Sequence, residues 1–353
     1  MFLYFWWTAL GLALWSLLAM MFMILRRLWL QHRQRADRRR QAELRQLLFA
    51  WGEDEERPEL PSRDRRLLME LGHHLLNTVR GDEARRIARL LQQSGAVAEG
   101  ITQLKLGRAP ERIRSAEGLG HFVADDARVR EALNSSLARD REVRVRLASA
   151  RSLLRGGHPP ETARLIDRLW CPGKVSMRGF QELLRHMAPG AHADLAAFID
   201  EHPAAIADHR LTALLVDALG HALELGHLPL LRRLAVEGEH PDIRAAAFRA
   251  LAALGHPGAR DAIAQGLRDP SWAVRSQAII AASRIGLSEF IPSVAEALHA
   301  PEWWVRLRAA QALHAFGPNG ISQLRAAARG EDGSGASGEA ALVAQLVLEE
   351  RGA

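Results

Sequence analysis

The chain has 353 residues, 47 Lys and Arg against 41 Asp and Glu, and a single cysteine. That lone Cys171 excludes an internal disulfide framework and any zinc site built on paired cysteines. The formal charge of +6 comes in part from one N-terminal cluster. The rest is dominated by Ala and Leu, which are strong helix formers, with no sustained alternating β-branched run, so almost no strand is expected.

The first predicted element is apolar. Phe2 to Leu25 carry no charged side chain, and as a helix they would be about 36 Å long against a hydrocarbon core of about 30 Å. Trp6 and Trp7 sit near one end and Trp29 just past the other, where headgroups favour tryptophan. Arg26, Arg27, Arg33, Arg35, Arg38, Arg39 and Arg40 follow directly. They favour the cytoplasmic side and would rest on anionic headgroups of the lipid bilayer. A cleaved signal peptide is disfavoured, because no charge precedes the apolar run. The expectation is a transmembrane anchor over 1–27 in a bacterial inner membrane, single-pass, N-terminus out and the remainder cytoplasmic. A basic juxtamembrane helix and acidic linker, 28–57, would follow, with Pro58 and Pro61 at its boundary.

From there a period governs the chain. Arg244, Arg275 and Arg306 are 31 residues apart, as are Ala247, Ala278 and Ala309, and Gly255, Gly286 and Gly317. Each unit begins near a proline (Pro241, Pro270, Pro301), runs through an alanine-rich helix and stops at the glycine. A second helix follows at 259–267, 290–298 and 321–328. Asp140, Val145, Arg146, Ala150, Leu153 and Gly157 repeat the order less regularly. Two helices per 30–40 residues predict a solenoid, because one such pair cannot bury its apolar face alone. The solenoid is expected over 58–330, clearest at 239–330. In 171–238 paired helices are predicted at 177–187, 194–199, 210–225 and 229–236, in uncertain register.

The helix starts Ile243-Arg244, Val274-Arg275 and Val305-Arg306, with their trailing Ala and Leu positions and terminal glycines, resemble HEAT-like repeats of the short bacterial type found in phycobilin lyases. The resemblance implies an all-α, HEAT-like α-solenoid, here preceded by one transmembrane helix. At the end, 331–353, a Gly-rich loop leads into an amphipathic helix at 339–350. That helix would cap the last repeat or, alternatively, bind a partner.

No catalytic constellation emerges. The fifteen histidines include adjacent His73 and His74 and the local pairs His186/His192, His202/His209 and His221/His227. None forms HExxH, and caps, turns and solvated faces account for them. No metal and no cofactor are expected. The Gly-rich 330–338 segment precedes no Lys-Ser/Thr and is no P-loop. Arg146, Arg244, Arg275 and Arg306 read as a structural ladder between units, or else as a basic stripe. Trp272 and Trp303, 31 apart, with Trp304 beside the second, read either as packing between units or as a protein-binding edge. No aromatic platform tracks the arginines, so nucleic acid is not expected.

The functional expectation is a membrane-tethered scaffold that binds protein partners, with a membrane glycosyltransferase of an envelope polysaccharide machine as one client. The alternative is a lyase-like or chaperone activity, which the repeat resemblance implies.

Overall fold

The computed structural model describes residues 7, 14–27, 40–46, 48, 60–171, 177–201, 208–330 and 338–352. Among the described residues there are helices, turns and bends but no strand. They fall into two compact units, 1–158 and 159–353.

The transmembrane anchor is not borne out. Among the described residues no helix is long and apolar enough to cross a membrane. Within the expected span, residues 7 and 14–27 are described, and they are helical. Residues 2–6 and 8–13 of that span lie outside the described residues, as do Arg33, Arg35, Arg38 and Arg39. The single-pass inner-membrane topology, the lipid-bilayer contact and the membrane-tethered scaffold all depended on the span. So did the proposed glycosyltransferase client. They are withdrawn with it. Arg26 and Arg27 lie exposed on the 14–27 helix. Arg40, expected at headgroups, is instead engaged within the protein. Its Nη2 donates to Asp64 Oδ2 at 2.7 Å and its Nη1 to Glu43 Oε2 at 2.6 Å.

In the first unit, α1 (Ser62–Thr78), α2 (Gly81–Gln93), α3 (Ala96–Leu106) and α4 (Ala109–Leu119) pack against one another. Then α5 (Ala127–Arg139) pairs with α6 (Val143–Arg155), and α6 lies on α4. Each helix contributes one apolar face to this core. Leu68, Leu91, Leu119, Leu133 and Leu153 are wholly buried.

In the second unit, α7 (Thr162–Leu169) is followed by α8 (Met177–Glu201), which is kinked at Ala191 next to Pro189 and Gly190. Ala191 is non-helical, at φ −128° and ψ 20°, so two helical stretches meet at the kink, where the sequence placed two helices. Pro189 lacks the N–H that an unbroken helix needs. Next come α9 (His209–Gly220), α10 (Leu228–Glu237), α11 (Pro241–Leu254), α12 (Arg260–Gly266), α13 (Trp272–Ile285), α14 (Ile291–Glu296), α15 (Trp303–Ala315), α16 (Pro318–Arg329) and α17 (Gly338–Arg351). The first helices of successive repeats, α9, α11, α13 and α15, stack on one another, and α10 stacks on α12. This is an α-solenoid arrangement of the HEAT-like kind. Gly255 and Gly286 end α11 and α13 in the left-handed region, φ +69° and +83°, which costs glycine least. Gly266 has a different reason to be glycine: an added Cβ would stand 2.2 Å from the Phe248 ring.

The last helix, α17, packs on α15 and α16 through Ala340, Val343, Ala344 and Val347. Leu342 and Leu346, on its other face, remain exposed.

The repeat arginines share one geometry. Arg244 grips Asp269 with Nε and Nη2, at 2.7 and 3.0 Å, and gives Nη1 to the Gly238 carbonyl. Arg275 donates to the carbonyls of Asp269 and Pro270 and to Glu302 Oε2 at 2.8 Å. Arg306 donates to the carbonyls of Ala300 and Pro301 and pairs with Glu339 at 2.9 Å. Arg112 takes Asp140 in the bidentate manner of Arg244, and Arg146 donates to the Asp140 carbonyl. Each of these guanidinium groups satisfies loop carbonyls just ahead of its own helix. In Arg112, Arg244, Arg275 and Arg306 it also reaches the acidic start of the next unit.

The Arg244–Asp269 pair is the most enclosed of these, with side chains 12% and 10% exposed. Asp269 Oδ1 also accepts the Ser271 N–H at 2.8 Å. Asp269→Ala therefore removes a nearly buried charge pair and a turn-stabilising acceptor together, and should lower unfolding free energy by about 2 kcal/mol. Urea unfolding would show this as a lower midpoint at unchanged slope. Glu302→Ala, losing a more exposed partner, should cost less.

Candidate functional site

The stacked first helices leave one groove of about 380 Å³ in the second unit. Its wall takes residues from the first helices of four consecutive repeats: Arg210 and Leu214 of α9, Asp242, Ala245 and Arg249 of α11, Trp272, Ala273, Ser276 and Gln277 of α13, and Trp304 and Arg308 of α15. The repeat positions the two indoles. Each stands in the first turn of an alanine-rich helix whose small residues are buried in the stack, and it is left outside them.

Of the sequence-predicted edge, Trp272, Trp303 and Trp304 are 46%, 44% and 51% exposed, so none is a core residue. Trp272 and Trp304 line the groove. Trp303 does not, but it meets Trp304 edge-on, with ring centroids 4.7 Å apart. The ladder residues Arg244, Arg275 and Arg306 are not in the groove lining. They are engaged between repeats. Arg146 belongs to the first unit.

Sequence reasoning missed the arginines of the groove: Arg210, Arg249 and Arg308, facing one carboxylate, Asp242. Arg249 donates to Asp217 Oδ1 at 3.0 Å and Arg308 to Gln311 Oε1 at 2.7 Å. Asp217 is itself shared with Arg185, at 2.6 Å, so it neutralises only part of this cationic cluster. The groove is therefore aromatic and electropositive. Burial, the largest single influence on Asp217, pushes its carboxyl up. Hydrogen bonds from Arg185, Gln181 and Arg249 outweigh that and hold it below the usual range.

A second cleft lies in the first unit, lined among others by Arg66, Glu70, His73, Glu111 and Arg114. Of its charged side chains, Arg114 pairs with Glu70 at 3.2 Å and Arg66 with Glu99, outside the lining, at 2.9 Å. His121, whose ring centroid is 5.4 Å from that of His73, is pushed down to about 4 by burial and by its cationic neighbours.

The histidines converge in ways that local spacing did not indicate. His192 Nδ1 and His227 Nε2 share a hydrogen bond at 3.0 Å. His209 and His240 stack with centroids 3.6 Å apart, and Asp242 stands beside them. His209 and His240 are 31 residues apart, one repeat step, both at a helix start. Extending the period one unit towards the N-terminus would have paired them.

Residues 228–314 and 260–342 match the family model of HEAT repeats. No curated protein sequence matches the chain. Among solved structures, an engineered protein is 15% identical over 84% of this chain and 92% of its own, with a TM-score of 0.33. Human deoxyhypusine hydroxylase in complex with glycerol is 17% identical over 81% and 96%, with a TM-score of 0.29. Kap121p is 13% identical over 88% of this chain and 38% of its own, with a TM-score of 0.48. No activity or partner is carried over from these structures.

Proposed function

We propose that the HEAT repeats of the second unit capture an extended, acidic segment of a protein partner in the groove at Trp272 and Trp304, without turnover. The observation that supports this is the juxtaposition of two half-exposed indoles with Arg210, Arg249 and Arg308 on the first helices of four consecutive repeats. Trp and Arg are the residue types that most often carry binding energy at protein interfaces. The spacing of helix starts along a stack suits an elongated ligand, and the small Ala245 and Ala273 let its backbone approach. Holding a client segment in this way is a chaperone-like role and needs no tether. It keeps the part of the alternative expectation that rests on the repeats.

The test uses the full chain and two fluorescein-labelled peptides of about a dozen residues, long enough when extended to span several helices. One alternates Glu with Leu; the other has Lys in place of every Glu. Fluorescence anisotropy should show saturable binding of the acidic peptide only, weakening as salt rises. Equal binding of both peptides, or of neither, would rule the reading out.

A further inference from the structure

We infer that His209, His240 and Asp242 form a binding site for a divalent transition-metal ion of the zinc type, which ties the start of α9 to the start of α11. Each of the three offers one ligand atom, all within 4.8 Å of one another. Asp242 Oδ2 lies 3.5 Å from His209 Nε2 and 3.5 Å from His240 Nδ1. That separation is long for a hydrogen bond. It is close to the distance of about 3.4 Å between two ligands of a tetrahedral ion with bonds of about 2.0–2.1 Å. Two imidazoles and a carboxylate favour zinc and its neighbours over calcium or magnesium, which prefer oxygen.

The rings are nearly parallel, 21° apart, so their in-plane lone pairs do not yet converge on one point. Both must turn about their broad second torsion to share an ion. His240 Nδ1 also accepts the Asp242 N–H at 3.2 Å, capping α11. An ion bound through Nδ1 would take the lone pair that now accepts that N–H and would replace the cap. Three protein ligands leave a fourth position for water or a ligand. Asp242 lines the groove, so the ion would stand at its wall. Arg210, which also lines the groove, opposes the ion electrostatically, but its guanidinium sits on a long flexible stem.

The site stands independently of the peptide proposal, and so does its test. The untagged full chain is titrated with zinc chloride by calorimetry, and with cobalt(II) followed in the visible region. The parent should bind zinc at this site and develop the intense absorption of tetrahedral cobalt. His209→Gln, His240→Asn and Asp242→Asn should each abolish that cobalt signal and remove one zinc equivalent. Asparagine at 240 retains a helix-capping acceptor, so loss of fold does not imitate loss of a ligand. His192→Gln, altering the other histidine pair, should leave the signal unchanged. Variants that bind like the parent, a parent that binds no zinc, or a signal lost only in His192→Gln would each overturn the assignment.

Discussion

Replacing Asp217 with alanine should destabilise the second unit by about 3 kcal/mol, the largest loss expected of any single charged residue in it. Asp217 is 4% exposed and accepts from Gln181, Arg185 and Arg249, at 2.6 to 3.1 Å. Gln181 and Arg185 come from α8 and Arg249 from α11, so this one carboxylate of α9 joins three helices. The two arginines are 39% and 42% exposed and regain water when the acid is lost. That keeps the cost at the low end of the range for breaking a buried pair.

The charge makes the effect depend on pH. The folded carboxyl titrates below its ordinary value of 3.8. Its stabilisation is therefore complete above the unfolded value and is lost as pH falls through the folded one. Urea midpoints of the parent and Asp217→Asn should differ most near neutrality and converge as pH falls below the ordinary value of 3.8 and through the lower folded one. A gap that does not shrink as pH falls below 3.8 would show that the carboxylate's charge is not what holds the three helices.

Asp217 also marks what the sequence could not disclose. The period identified α11, α13 and α15, because Pro at each start, Ala within and Gly at the end recur with the helix, and each choice has a local cause. Its second helices were nearly as legible: 259–267 became Arg260–Gly266, and 290–298 became Ile291–Glu296 with short 3-10 turns at either end. Arg185 and Arg249 each lie 32 residues from Asp217, close to one repeat step, but the residue type changes at each step, so no recurring residue marked the cluster. Likewise the groove arginines fall at different turns of their helices, and only stacking brings them to one wall.

The N-terminal expectation failed for another reason. Hydropathy states what surroundings a segment prefers, not which structure it adopts. All side chains of residues 14–27 are exposed, and among the described residues no helix is long and apolar enough to cross a membrane.

The groove makes the second large prediction. Arg210→Glu with Arg308→Glu should weaken the acidic peptide by about 100-fold at low salt. Each reversal exchanges an attraction for a repulsion near the surface, at about 1 kcal/mol or slightly more apiece. The loss should shrink as salt is raised. Trp272→Ala should cost about 30-fold, the value of a binding hot spot, and that loss should change little with salt. Trp303→Ala should be nearly neutral, because Trp303 lies outside the groove lining. Arg249 is a poor test residue, since it also holds Asp217. The charge reversal and the indole truncation thus separate the charge of the groove from its aromatic surface within one assay. The Lys-for-Glu peptide, which the parent should not bind, ought to gain affinity for the doubly reversed protein. In that variant the introduced carboxylates would join Asp242 on the wall, against Arg249 alone. No gain there, together with no loss of the acidic peptide, would place the binding face of these repeats elsewhere.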